Sequence, residues 1–95
     1  MYAVVFDIDT NCLNENYHGN SYNNAYGDIR KFMEQNGFDW QQGSVYFGKQ
    51  NIDAVKCVIA IQKLSQTYAW FSTCIKDIRM LRIEENNDLM PALGF

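Results

Sequence analysis

FDWQQGSVYFG, residues 38–48, sits at the middle of the chain and decides the order of its elements. Aromatic and β-branched residues flank Gln42-Gly43, so the stretch reads as two short strands joined by a tight turn or sharp bend there. Working back, Gly37 stands where a left-handed cap would close a helix. Ser21 caps the start of that helix, and Tyr22, Ala25, Tyr26, Ile29, Phe32 and Met33 recur at helical spacing. Before it, TNCLNENYHGN (10–20) is polar and turn-rich, and reads as a loop. YAVVFDID (2–9) is a strand: Tyr2, Val4, Phe6 and Ile8 point one way, Ala3, Val5, Asp7 and Asp9 the other. Working forward, Asn51 caps a second helix over 51–66 with a wide apolar surface that includes Ile52, Val55, Val58, Ile59 and Leu64. TYAWFSTC (67–74) is a short helical or irregular connection, and IRMLRIEE (78–85) a last strand. NNDLMPALGF (86–95) is a loop, or an arm packed on a partner.

The order is β-α-β-β-α-β, an α+β ferredoxin-like fold occupying residues 1–95 as one domain. Its antiparallel four-stranded sheet runs 4-1-3-2 with both helices on one face. Ala3, Val5, Asp7 and Asp9 then line a face that no helix covers, and a small domain hides such a face by forming a homodimer through it.

Composition narrows the chemistry. With 47% hydrophobic and 20% charged residues the chain is globular rather than disordered. His18 is the only histidine, which excludes a histidine-based triad and a histidine-rich zinc site. Cys12, Cys57 and Cys74 show no CxxC spacing, no apolar run approaches the roughly 20 residues that span a bilayer, and no leader pattern opens the chain. These features predict a reduced, cytoplasmic protein, not bound to membrane, whose thiols are buried as small hydrophobes. The net charge of −3 argues mildly against a nucleic-acid partner, but Lys76, Arg79 and Arg82 fall within seven positions and form a local basic patch.

In this topology strand 1 is antiparallel to both neighbours, so its C-terminal end meets the beginnings of strands 3 and 4. Asp7, Ser44 and Asp77 should gather there. A carboxylate in such a group can hold Mg²⁺ through hard oxygen ligands or act as a general base. Arg79 or Lys76 can neutralise charge developing on phosphorus, Ser44 can donate to a phosphate oxygen, and Tyr46 and Trp40 can stack bases. RNA brings its own nucleophile in the 2′-OH, which lessens what the protein must supply. Each residue also has a plainer role: Asp7 as a strand terminator, Ser44 as a turn residue, Asp77 with Arg79 as a surface ion pair, Tyr46 and Trp40 as core or interface. Spacing leaves both open.

MYAVVFDID (1–9), AYGDIRKFMEQNGFDWQQGSVYF (25–47), KLSQ (63–66) and KDIRMLRIE (76–84) together resemble the virulence-associated protein D family. That family is similar to the CRISPR-associated adaptation nuclease. The resemblance implies a ferredoxin-like homodimer with endoribonuclease activity on single-stranded RNA such as mRNA, acting as the toxin of a toxin–antitoxin pair with a small protein antitoxin. Carried over by motif, the catalytic residues are Asp7, Asp77 and Ser44, with Asp7 a metal ligand if Mg²⁺ takes part and Asp9 secondary. Arg79, Lys76 and Tyr46 are the substrate-binding candidates. The rival reading is a non-catalytic nucleic-acid-binding or scaffold dimer of the same fold.

Overall fold

Strand β1 (Tyr2–Ile8) is the centre of the architecture, because it pairs antiparallel with a strand on each side. The computed structural model describes residues 1–94. After β1 come α1 (Thr10–Asn16), α2 (Asn23–Gln35), β2 (Phe38–Gln42), β3 (Val45–Gly48), α3 (Ala54–Thr67), α4 (Ala69–Cys74) and β4 (Ile75–Arg82). The sheet order is β2-β3-β1-β4, the order expected from the sequence. A turn of 3₁₀ helix, Met90–Leu93, ends the described chain; Phe95, the last residue of the expected tail, lies outside it.

Alternation along β1 separates two faces. Val4 and Ile8 are buried in the core, and Phe6 packs against it. Val4 stands opposite Tyr46 of β3 and Met80 of β4. On the other face Ala3 is opposite Phe47 and Leu81, and Val5 is opposite Val45 and Arg79.

The helices cover the first face with narrow stripes. Ala25, Ile29 and Met33 are the buried residues of α2, one per turn. In α3 they are Cys57, Ala60 and Leu64, so the apolar surface is narrower than expected: Val55, Val58 and Ile59 remain exposed. The cap of α3 is Asp53 rather than Asn51. Its Oδ1 accepts from Lys56 N at 2.8 Å, while Ile52, immediately before it, is buried. Burying Ile52 fixes where the chain enters the helix and leaves the next residue to cap it.

Two glycines set the turns. Gly37 (φ +93) follows α2 in the left-handed conformation, and its carbonyl accepts from Lys49 N at 2.8 Å. Gly43 (φ +49) opens the β2–β3 turn, and pairing slips between Trp40 and Gln42, leaving Gln41 as the extra residue.

Residues 10–16 form a helix where the sequence reads as a loop. Three asparagines make that segment a poor helix former. What holds it is tertiary: Asp9 caps it, Leu13 is wholly buried beneath it, and Cys12 is disulfide-bonded to Cys74. This corrects the expectation of three reduced thiols: Cys12 and Cys74 are bonded across 62 positions, which local spacing does not reveal, and Cys57 alone is free and buried. No helix among the described residues is long and apolar enough to cross a membrane.

Candidate active site

At the C-terminal end of β1, Asp7 stands directly opposite Asp77 of β4. Residues opposite one another on paired strands share a face, so the two carboxylates lie side by side on the uncovered side of the sheet. Both are exposed. Arg79, two residues along β4 on the same face, brings its Nε to 3.0 Å from one Asp77 oxygen and 3.2 Å from the other. Among the described residues Asp7 has no ion-pair partner, which leaves its carboxylate free for an incoming group.

Immediately beyond this pair the β1–β4 register shifts: Asp7 opposes Asp77, but Ile8 opposes Ile75. Lys76 is the extra, exposed residue of that bulge. A bulge re-aims the side chain it carries and is over-represented beside active sites. Lys76 thus adjoins Asp77 in the chain at an irregular point of the backbone, and it has no carboxylate partner among the described residues.

Ser44 reaches the same end of the sheet but one residue out of step. Its carbonyl accepts from Phe6 N at 3.2 Å, which places it opposite Phe6 rather than Asp7. Half-buried, Ser44 lines a cavity of about 330 Å³ with Tyr26, Gly27, Arg30, Trp40, Gly43 and Tyr46. Tyr46 forms wall rather than a stacking surface. It is 2% exposed, its ring lies stacked 6.1 Å from that of Phe6, and burial pushes its phenol up to about 12, against a smaller downward pull from Arg30. Burial also raises the Tyr26 phenol, with Tyr22 and then the charge of Asp7 adding to it. Ser44 joins the cavity to the end of β1, because the residue it is hydrogen-bonded to, Phe6, immediately precedes Asp7.

Asp9 has a structural task. Its carboxylate accepts from Cys12 N at 3.0 Å and its own N–H donates to the Cys74 carbonyl at 2.9 Å. It pins α1 to the start of β4 and does not join the carboxylate pair.

The chain is similar to known proteins over nearly its whole length. Residues 1–90 match the family described as CRISPR associated protein Cas2. A Riemerella anatipestifer protein named Endoribonuclease VapD 2 is 67% identical over 94 residues, 99% of this chain and 100% of that protein. The chain belongs to the VapD–Cas2 family. A Helicobacter pylori member, Endoribonuclease VapD homolog, is 62% identical over 93 residues, 98% of this chain and 96% of that protein. The Dichelobacter nodosus member, Endoribonuclease VapD, is 39% identical over 88 residues, 93% of this chain and 91% of its own.

For a VapD–Cas2 chain the question of a metal rests on the donors present. Among the described residues no three His, Cys, Asp or Glu side chains group as a metal cage. Mg²⁺ does not need one, since it keeps several waters and takes one or two carboxylates together with substrate phosphates. Asp7 and Asp77 fit that requirement.

Sequence reasoning gave Arg30 only a solvated helix face. Its guanidinium lies 4.2 Å from the centroid of the Trp40 ring, and its Nε is held by Glu34 Oε1 at 3.0 Å. The signal was available in part: Glu34 follows Arg30 at helical spacing, but nothing local says that Trp40 folds back beneath it.

Proposed function

We propose that the chain is an endoribonuclease that cuts single-stranded RNA, mRNA included, with Asp7 at the centre of the reaction. The observation that carries this is the placement of the free Asp7 carboxylate opposite Asp77, with Arg79 and Lys76 on the same strand end. Relatives bearing the endoribonuclease name match over nearly their whole length, which supports the same activity here.

In this reading Asp7 takes the proton of the 2′-OH, the oxygen so freed attacks the adjoining phosphorus, and the bond from phosphorus to the 5′-oxygen breaks as that oxygen takes a proton from water. Arg79 and Lys76 neutralise the charge that grows on the phosphoryl oxygens, and Asp77 orients Arg79 through its two-point contact. Ser44 assists from the rim of the cavity, where Tyr46 forms the wall against which the substrate's sugar or base would rest. Mg²⁺ held by Asp7 and Asp77 would supply further charge neutralisation and a bound water as the acid for the leaving oxygen.

The uncovered face suits a homodimer: Ala3, Val5, Val45, Phe47 and Leu81 form an apolar strip across three strands, with Leu81 47% exposed. A two-fold through that strip would bring two Asp7 carboxylates towards each other. Acting on mRNA in the cytoplasm, such a dimer fits the toxin of a toxin–antitoxin pair, restrained by a small protein antitoxin.

One observation favours the non-catalytic reading, a nucleic-acid-binding or scaffold dimer: both oxygens of Asp77 are engaged by Arg79. A labelled single-stranded RNA, incubated with wild type and with Asp7→Asn, with and without Mg²⁺, separates the two. Cleavage by wild type and none by Asp7→Asn is expected. Equal cleavage by both removes Asp7 from the mechanism.

A further inference from the structure

The cavity between α2 and the β2–β3 hairpin has features that the fold itself does not require. Gly27 is the fifth residue of the thirteen in α2, an interior position where glycine is a poor helix former. A Cβ built there would meet nothing within 4 Å, so no packing contact accounts for the missing side chain. Gly27 lines the 330 Å³ cavity and also a second hollow, with Arg30, Lys31, Glu34 and Gln35, so a side chain there would project into space that is now open. The volume lies within the roughly 300–1,000 Å³ usual for pockets that take small organic groups.

The wall is also pre-arranged. Trp40 Nε1 donates to the Gly43 carbonyl at 2.9 Å, which fixes the indole. Arg30 lies over that indole at 4.2 Å and is anchored at its other side by Glu34 at 3.0 Å. One guanidinium face is thus covered by the indole, while the residue as a whole stays exposed. A flat cation immobilised in this way is a stacking platform for a planar, electron-rich ring. Ser44, which lines the same cavity, accepts through its carbonyl from Phe6 N at 3.2 Å, and Phe6 immediately precedes Asp7, so the platform lies at the strand end that carries the reacting group.

We propose that the Arg30–Trp40 cavity is a nucleobase subsite, in which one base of a single-stranded RNA stacks while its adjoining phosphate lies at Asp7. The inference rests on the endoribonuclease reading and adds to it the group that reads the substrate.

The indole N–H signals of a ¹⁵N-labelled protein provide the test, because the chain has two tryptophans, Trp40 and Trp70, and Trp40→Phe assigns them. Adenosine or uridine 5′-monophosphate is expected to shift the Trp40 signal and leave that of Trp70 in place, whereas ribose 5-phosphate shifts neither. Arg30→Ala and Gly27→Leu, each shown to be folded by an unchanged Trp70 signal, are expected to weaken this binding by roughly tenfold or more. A nucleotide effect matched by ribose 5-phosphate, or undiminished in both variants, overturns the subsite. Cleavage of an unstructured RNA distinguishes the two readings. A raised KM with retained kcat in Arg30→Ala supports the subsite. Wild-type cleavage that both variants reproduce, with no nucleotide shift, overturns it and leaves the endoribonuclease. A nucleotide shift without any wild-type cleavage keeps the base site and overturns the catalysis.

Discussion

Asp7 and Asp77 face each other across the β1–β4 pair, two like charges at directly opposed positions. Such pairs destabilise a sheet, and Arg79 offsets the charge of only one of them. A fold selected for stability alone would place a neutral or opposite partner there. The residual repulsion is tolerated where a free carboxylate has a task.

The first prediction follows from that imbalance. Asp7→Asn should raise unfolding stability by about 0.2–1 kcal/mol while abolishing RNA cleavage. Asp77→Asn should gain less, because Arg79 then loses its partner. Urea unfolding of both variants beside a cleavage assay reads the two effects. A clear loss of stability in Asp7→Asn would mean that the carboxylate is a structural strand terminator.

Gly37 and Gly43 both adopt positive φ, at +93 and +49, but their surroundings differ. A Cβ at Gly37 would come within 2.7 Å of Ile52 Cδ1, whereas at Gly43 it would meet nothing within 4 Å. Each alanine substitution should cost about 1–2 kcal/mol for the left-handed backbone, and Gly37→Ala should cost more, because Ile52 is buried. Thermal melts of the two variants check this. Equal losses would show that Ile52 rotates away freely.

The same residues show what local sequence carries. The β2–β3 turn, the left-handed cap at Gly37 and the alternation of β1 are short-range patterns, and the strand order followed from the element order that such patterns define. That was enough to bring Asp7 and Asp77 together before any coordinates. The exact register was not legible, because the bulge at Lys76 depends on how Ile75 meets Ile8 across the sheet. Nor was α1, whose polar segment is helical through contacts with residues some sixty positions away. Arg30 on Trp40 is hidden for the same reason: the contact joins a helix to a hairpin, and neither half announces it.

Alkaline pH should weaken the fold through two phenols. Tyr17 donates to Asp28 Oδ2 at 2.7 Å, and this hydrogen bond, with some burial, pushes its phenol up to about 12. Burial does the same to Tyr46. Both groups hold their protons more tightly when folded, so the stability they contribute is fully present below pH 10.0 and is lost as pH rises towards 12. Ultraviolet titration should show a late-ionising fraction that includes Tyr17, Tyr46 and, through burial, Tyr26, and Tyr17→Phe should remove one of its members. Six phenols titrating together near 10.0 in the folded protein would contradict it.

Reduction should loosen the site from the side of α1. The Cys12–Cys74 bond joins positions 62 apart, and closing a loop of that length restricts the unfolded chain by about 4 kcal/mol on the entropic account. The bond also sits among the contacts of Asp9, whose N–H donates to Cys74 and whose carboxylate accepts from Cys12, directly after the strand that carries Asp7. A dithiol reductant, or Cys12→Ser, should therefore lower the urea midpoint and increase proteolysis within residues 10–16, while Cys57→Ala leaves the bond intact. In the unreduced, unfolded protein a thiol reagent should find one reactive cysteine, Cys57, which is 1% exposed in the fold. Three reactive thiols in that sample would show that the purified protein holds Cys12 and Cys74 reduced. The stability of α1 would then rest on Leu13 and the Asp9 cap alone.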